Sequence, residues 1–325
     1  MCERGPKVHD KIIQVLKKAS GYVSGEDISS ALKVSRAAIW KYMHSLKGMG
    51  YEINAVPHLG YQLLSVPDRL FPWEIKDGLK TNVFGHNVIY HETVRSTMDD
   101  AFQLGLQGAC EGTIVCAESQ TKGRGRLGRQ WISPKHKGIY FSIILRPNLP
   151  PSEIAELTLL AAVAVCDAIR DISGLNIQIK WPNDILYKGK KLGGILTELN
   201  AELDRVKFAL VGIGLNVNTG EHQLLETATS LRKETGQNYL RVDILKQILF
   251  VMEQCYQQML REGSGPIIAR WKELSLTLGR KIKVLEVNGV MEGEAIDLAK
   301  DGGLMIRCPN GDIIKKMSGD VVLDG

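Results

Sequence analysis

The chain has 325 residues, 44% hydrophobic and 24% charged, a composition that folds into globular domains and excludes extended disorder. Its most apolar stretch, residues 157–169, is too short to span a bilayer, and the N-terminus carries no apolar signal core, so the cytoplasm is the expected location. The formal net charge is +5, and residues 1–66 hold nine Lys or Arg against five Asp or Glu, so most of the excess lies in the first fifth of the chain. Six cysteines, at positions 2, 110, 116, 166, 255 and 308, show neither C-x-x-C spacing nor a histidine partner pattern; reduced thiols are expected, with no zinc site.

The spacing of Val8, Ile12, Val15 and Leu16 predicts an amphipathic helix over residues 7–19, stopped near Ser20-Gly21. A short helix over residues 26–33 places Ile28 and Leu32 on one face. Ser35 then caps a third helix ending near residues 48–50, with Ile39, Met43 and Leu46 inward and Arg36, Ala37, Trp40, Lys41 and His44 outward. This is helix-turn-helix spacing, and Arg36, Ala37 and Lys41 are the side chains positioned to reach bases and phosphates of a major groove. Residues 51–56 and 61–64 flank Pro57-His58-Leu59-Gly60 as the hairpin of a winged variant. Three-helix units of this kind also serve as protein-binding or dimerisation modules.

Prolines 67 and 72 mark a linker into a second domain. From there the pattern predicts strands near residues 88–91, 113–118, 138–145, 177–181, 193–199 and 206–216. Helices are expected over residues 96–106, 152–172, 242–261 and 265–274. Few crossovers separate the strands, so an α+β sheet with helices on one face is expected over a doubly wound one. Beyond residue 275 the chain turns to short alternating runs split by Asn288-Gly289, Asp301-Gly302-Gly303 and Asn310-Gly311, the signature of a small β-barrel. The expected domains are 1–66, 67–275 and 276–325.

Between the second and third of those strands lies Gly123-Arg124-Gly125-Arg126-Leu127-Gly128-Arg129. Glycines let backbone amides approach an anion, and guanidinium groups grip its oxygens in pairs. The match to G-x-G-x-x-G does not open a helix but runs into Gln130-Trp131-Ile132-Ser133-Pro134 and a strand, which argues against a dinucleotide fold. There is no Walker-type loop and no kinase signature. Taken alone, a mobile, solvated basic loop is an equally good reading.

Three further segments join it. Lys180-Trp181-Pro182-Asn183-Asp184 ends a strand in a rigid turn presenting an amide and a carboxylate, suited to magnesium and phosphate or simply to an Asx-type turn. Lys190-Lys191-Leu192-Gly193-Gly194 and Gly212-Ile213-Gly214-Leu215-Asn216 are glycine-bearing strands that leave room for a flat ligand, or else hold a bulge or close packing.

In this order, with Arg95-Ser96-Thr97 and Gln120, these segments resemble the biotin protein ligases, and the helix-turn-helix in front makes the resemblance closest to the bifunctional type that doubles as biotin operon repressor. The resemblance covers essentially the whole chain. It implies a winged helix-turn-helix, a central mixed-sheet domain like the class II synthetases and a C-terminal SH3-like barrel. It also implies that Ser96, Thr97 and Gln120 hold biotin's ureido ring, that Arg124, Gly125 and Arg126 wrap biotin and the adenylate phosphate, and that Lys191 lies by the reacting carboxylate. Trp131 is then expected near adenine, with Asn216 at its edge. Two departures are Thr121-Lys122 before the loop and Leu127 where some members carry another arginine.

The residues alone support that chemistry. Joining a carboxylate to the α-phosphorus of ATP gathers negative charge on phosphoryl oxygens, which Arg126, Arg129, Lys191 and a Mg²⁺ near Asn183 and Asp184 would neutralise. Arg126 and Lys191 are the expected catalytic pair, and Arg129, Trp131, Asn183, Asp184 and Asn216 the nucleotide site. Expected partners are ATP, biotin, a biotin carrier protein, operator DNA and a second copy of the chain once biotinyl-5'-AMP is bound. A lipoate or octanoate ligase and a non-catalytic biotin-sensing repressor are the alternatives.

Overall fold

A computed structural model describes residues 8–202, 205–286 and 289–323. The chain divides into two units, Met1–Arg69 and Leu70–Gly325.

In the first unit, α1 (Val8–Lys18), α2 (Gly25–Leu32) and α3 (Arg36–Gly48) precede the hairpin β1 (Glu52–Val56) and β2 (Gly60–Ser65). Ile12, Ile13, Leu16, Ile28, Ile39, Met43, Leu46, Tyr51 and Ile53 form its interior. Ile13 joins the buried face of α1, while Val8 and Val15, expected there, are only half-buried. Ser24 and Ser35 cap α2 and α3 by accepting from the N–H groups of Asp27 and Ala38, and Lys33 closes α2 at φ 53°. Paired 2.8 Å hydrogen bonds between Val23 and Tyr61 tie the wing to the helices. Gly60 makes this possible, because at φ 109° a Cβ would lie 2.1 Å from the Val23 carbonyl oxygen.

The second unit begins with the short α4 (Pro72–Lys76). Then follow β3 (Val88–His91), α5 (Thr97–Leu106), β4 (Ile114–Ala117), β5 (Gly138–Leu145), α6 (Ala155–Ser173), β6 (Gln178–Lys180), β7 (Asp184–Tyr187), β8 (Lys190–Glu202) and β9 (Arg205–Asn216). After these come α7 (Leu231–Thr235), α8 (Arg241–Glu262) and α9 (Gly265–Leu274). The strands form one sheet in the order β3-β4-β5-β9-β8-β7-β6, in which β3 and β4 run parallel and every other neighbour is antiparallel. Strand β7 and helix α7 were not expected from sequence. Lys188 and Gly189, at φ 47° and 76°, make the two-residue turn into β8, a turn that Asn-Gly would have announced and Lys-Gly does not.

Helices α6, α8 and α9 pack together against one face of the sheet. The expected one-sided arrangement needs an addition: α5 packs on β4, β5 and β9 around a separate cluster of Met98, Ala101, Val115, Ile144, Phe208 and Leu210. The helix carries its own apolar stripe, and Gly105 admits the Phe208 ring, which a Cβ there would approach within 2.6 Å.

The last strands, β10 (Lys281–Glu286), β11 (Gly289–Leu298), β12 (Leu304–Arg307), β13 (Ile313–Lys316) and β14 (Asp320–Leu323), form an antiparallel sheet in the order β13-β12-β11-β10-β14. Of the expected Asn288-Gly289 turn, Asn288 lies outside the described residues. This sheet shares a hydrophobic core with the larger one, and the buried Trp181 bridges them: its backbone N–H donates to Thr277 Oγ1 and its indole to the Gly302 carbonyl. A fully buried ion pair, Arg241 to Glu118 at 2.7 Å, links α8 to the end of β4, with Arg241 also donating to the Gly138 carbonyl.

Cys116, Cys166, Cys255 and Cys308 are thiols, and burial pushes that of Cys255 up to about 11. Among the described residues no helix is long and apolar enough to cross a membrane.

Candidate active site

A cavity of about 340 Å³ opens where α5 starts, where β8 and β9 lie side by side, and where the basic loop folds over. All twelve residues that the sequence nominated for ligand and nucleotide line it: Ser96, Thr97, Gln120, Arg124, Gly125, Arg126, Arg129, Trp131, Asn183, Asp184, Lys191 and Asn216. Its volume falls within the range of small-molecule sites.

The floor is glycine. Gly194 pairs with Gly214 and Leu196 with Gly212 across β8 and β9. A Cβ on Gly214 would stand 2.6 Å from the Trp131 indole, and one on Gly212 would stand 2.6 Å from Met98 Sδ. The flat group over Gly214 in this structure is therefore the protein's own Trp131. Its indole N–H is buried with no acceptor among the described residues, and Lys191 Nζ sits 5.6 Å from the ring centroid. A buried donor left unpaired in a cavity wall is suited to a ligand acceptor.

At the start of α5, Gln120 Oε1 accepts from the backbone N–H of Thr97 at 2.9 Å and from Thr97 Oγ1 at 3.2 Å, while Gln120 Nε2 donates to Ser133 Oγ at 3.1 Å. Ser142 on β5 donates to Thr97 Oγ1 at 2.9 Å. This chain fixes the amide and hydroxyls before any ligand arrives. Such a network suits a small neutral group with several donors and acceptors.

The basic loop is a hairpin strap. Trp131 N–H donates to the Gly123 carbonyl at 2.9 Å and Gly125 N–H to the Arg129 carbonyl at 2.7 Å, with Leu127 and Gly128 reversing the chain at φ 55° and 72°. Gly123 is required, because a Cβ would meet the Trp131 carbonyl oxygen at 2.6 Å. The loop thus takes the form of a hairpin across the cavity. Each arginine has a partner: Arg124 reaches Asp99 at 2.9 Å and Glu198 at 3.2 Å, Arg126 donates to Asn183 Oδ1 at 3.2 Å, and Arg129 pairs with Asp320. Burial lowers the Arg126 pKa from its ordinary value, opposed by nearby Asp320 and Asp184 and assisted by Arg129.

Lys191 Nζ stands 2.6 Å from Asp184 Oδ1, and Lys180 Nζ is 3.8 Å from Oδ2. Asp184 thereby acts as counterion to two lysines, and among the described residues no group of three metal-ligating side chains exists. Asn216 donates from Nδ2 to the Thr229 carbonyl at 3.1 Å, joining β9 to the segment that walls the cavity.

Sequence reasoning missed that wall. Gln223, Leu224, Leu225, Thr227 and Ala228 line the cavity, held by hydrogen bonds from Lys191 N–H to the Thr227 carbonyl and from Thr229 N–H to that of Lys191, both 2.9 Å. The one hint was the Leu224-Leu225 pair in a polar stretch. Asp320, from the terminal sheet, lines the cavity as well and carried no motif. In the N-terminal unit, Arg36, Ala37, Trp40, Lys41 and His44 are all exposed on α3, Trp40 and His44 stacking at 5.9 Å; Arg36 also pairs with Glu26 at 3.2 Å.

Comparison with known proteins accords with this geometry. The Biotin/lipoate A/B protein ligase family profile matches residues 90–218, an HTH domain matches residues 9–62, and the Biotin protein ligase C terminal domain matches residues 277–324. The bifunctional ligase/repressor BirA of Bacillus subtilis strain 168 is 41% identical over 96% of this chain and 97% of its own. The chain belongs to the family of BirA bifunctional ligase/repressors. The Escherichia coli K12 member is 27% identical over 96% of both chains. The biotin protein ligase of Aquifex aeolicus, solved in complex with biotin and ATP, superposes with a TM-score of 0.64 at 31% identity, covering 74% of this chain and 99% of that one.

Proposed function

We propose that this chain activates biotin with ATP to biotinyl-5'-AMP, transfers the biotinyl group to a lysine of a biotin carrier protein, and represses transcription in response to biotin. The observation that carries the reading is one cavity bordered both by the Thr97–Gln120 network and by Arg126, Lys191 and Asn183.

In the first step a biotin carboxylate oxygen attacks the α-phosphorus and pyrophosphate leaves. Ser96, Thr97 and Gln120 hold the ureido ring, and Arg124, Gly125 and Arg126 close over the tail and the phosphate. Lys191 and Arg126 face the charge that gathers on the α-phosphoryl oxygens, a contribution of about 3–4 kcal/mol for one well-placed donor. Trp131, Asn216, Asn183, Asp184 and Arg129 form the nucleotide side. In the second step the unprotonated amine of the carrier lysine attacks the acyl carbon of the mixed anhydride and AMP leaves. The strap keeps water from that anhydride.

Magnesium fits this site only as a companion of the nucleotide. Asp184 is engaged by Lys191 and Lys180, so the donor set is no metal cage, and Mg²⁺ carried by the triphosphate would offset phosphate charge with at most Asp184 and Asn183 oxygens within reach.

The exposed face of α3 supports operator binding through Arg36, Ala37 and Lys41, and a two-half-site operator calls for a dimer formed on adenylate binding. An operator affinity unchanged by biotin plus ATP would dismiss that linkage. Nothing here calls for a membrane, and cytoplasmic residence follows from the substrates.

The deciding assay combines the purified chain, MgATP, a carrier domain and either biotin or lipoate. Pyrophosphate release and carrier labelling with biotin alone support the reading. Release with lipoate assigns the acyltransferase alternative, and biotin binding without either product assigns a sensing repressor.

A further inference from the structure

Asp320 is the first residue of β14, yet it lines the cavity and pairs with Arg129; its side chain is 20% exposed against 67% for Arg129. The neighbouring Gly319 carbonyl accepts from Arg126 Nη1 at 3.4 Å. The placement is built into the fold. Asp320 is held in register with Leu285 on β10, and Gly319, at φ 151°, lies so close to Val284 that a Cβ would approach its Cγ1 within 2.6 Å. The Asp320 carboxylate thus occupies Arg129, and the Gly319 carbonyl beside it engages Arg126, the two arginines that the reading above assigns to phosphate.

We propose that Asp320 is a resident counter-anion of the polyphosphate seat, which ATP or pyrophosphate must displace from Arg129 and which returns once pyrophosphate has left. This rests on the nucleotide reading of the cavity and deepens it. A carboxylate and a triphosphate cannot share the Arg129 guanidinium without like-charge repulsion, so each weakens the other. Before the reaction Asp320 holds Arg129 in place. After it, the same contact competes with pyrophosphate for its seat and so opposes reversal of adenylation, while leaving the adenylate to Arg126 and Lys191. Biotin, bound by the Thr97–Gln120 network, does not touch the pair.

The test compares the full-length wild type with Asp320→Asn and Asp320→Glu, titrating inorganic pyrophosphate, ATP and, separately, biotin by calorimetry. Removing the charge of an exposed to half-buried pair should tighten pyrophosphate and ATP by roughly three- to tenfold, with the gain shrinking in high salt. Biotin affinity should stay within about twofold, reporting an intact fold, and Asp320→Glu should track the wild type. Equal or weaker pyrophosphate binding by Asp320→Asn with biotin binding intact overturns the proposal. If the wild type binds biotin but neither ATP nor pyrophosphate, the nucleotide reading itself fails and takes this one with it. Should both variants lose biotin binding through misfolding, a structure of the wild type with pyrophosphate decides: a broken Arg129–Asp320 pair supports the displacement, and an intact one overturns it.

Discussion

Lys191 Nζ lies 2.6 Å from Asp184 Oδ1, joining the two strands β7 and β8 at the edge of the cavity. A lysine so held is an oriented point charge whose three protons are aimed before substrate arrives, and its partner loses half of its own counter-charge when the lysine turns to a phosphoryl oxygen. Replacing Lys191 by Met should therefore slow adenylate formation by about 10²–10³-fold. Biotin affinity should change far less, because the Thr97–Gln120 network is separate from the pair. Pyrophosphate release under single-turnover conditions, read beside biotin binding, checks both halves.

Arg126 joins the strap to Asn183 and to the terminal sheet. The Arg126→Gly variant should still make adenylate, since Lys191 remains, but should release it roughly 10–100-fold faster, the worth of one or two charge-assisted hydrogen bonds. Retention of adenylate at the wild-type rate, measured by rapid filtration, would remove Arg126 from the role.

Gly214 tests the cavity floor. In Gly214→Ala the new methyl meets the Trp131 indole at 2.6 Å, so the ring must shift, at a cost of about 1–3 kcal/mol. ATP affinity should fall with it, and tryptophan fluorescence should report the displacement. A displaced indole with unchanged ATP affinity would separate Trp131 from the nucleotide.

Glu118 and Arg241 have no exposed side-chain surface, so removing one takes a close charged partner from a buried charge. Arg241→Met should lower the unfolding free energy of the larger unit by about 3–5 kcal/mol, and Glu118→Gln added to it should restore part of the loss. Urea denaturation of the wild type and the two variants measures this.

Lys41 is exposed on α3, where a phosphate contact is the simplest role. Lys41→Ala should weaken operator and random DNA alike and reduce the slope of log affinity against log salt by about 1. A loss confined to the operator would make Lys41 a base-reading residue instead.

What the sequence disclosed follows a physical line. The Ser35-to-Ala38 cap, the apolar runs of β4 and β5 and the glycine-arginine loop are local, and each was readable from neighbours in the chain. The twelve cavity residues were nominated one motif at a time, and their convergence needed the antiparallel pairing of β8 with β9. Contacts between distant segments left no local trace. Asp320 with Arg129, Glu118 with Arg241 and the 223–228 wall against Lys191 all depend on where the fold brings two segments together. Trp131 was read as a ligand's neighbour, but only the three-dimensional packing shows it lying on Gly214.

The most direct test is a crystal structure of the chain with biotin and a non-hydrolysable ATP analogue. The account predicts the ureido ring against Ser96, Thr97 and Gln120, and the α-phosphate within hydrogen-bonding distance of Arg126 and Lys191. A nucleotide bound elsewhere, with Arg126 still paired to Asn183 and Arg129 to Asp320, would contradict it.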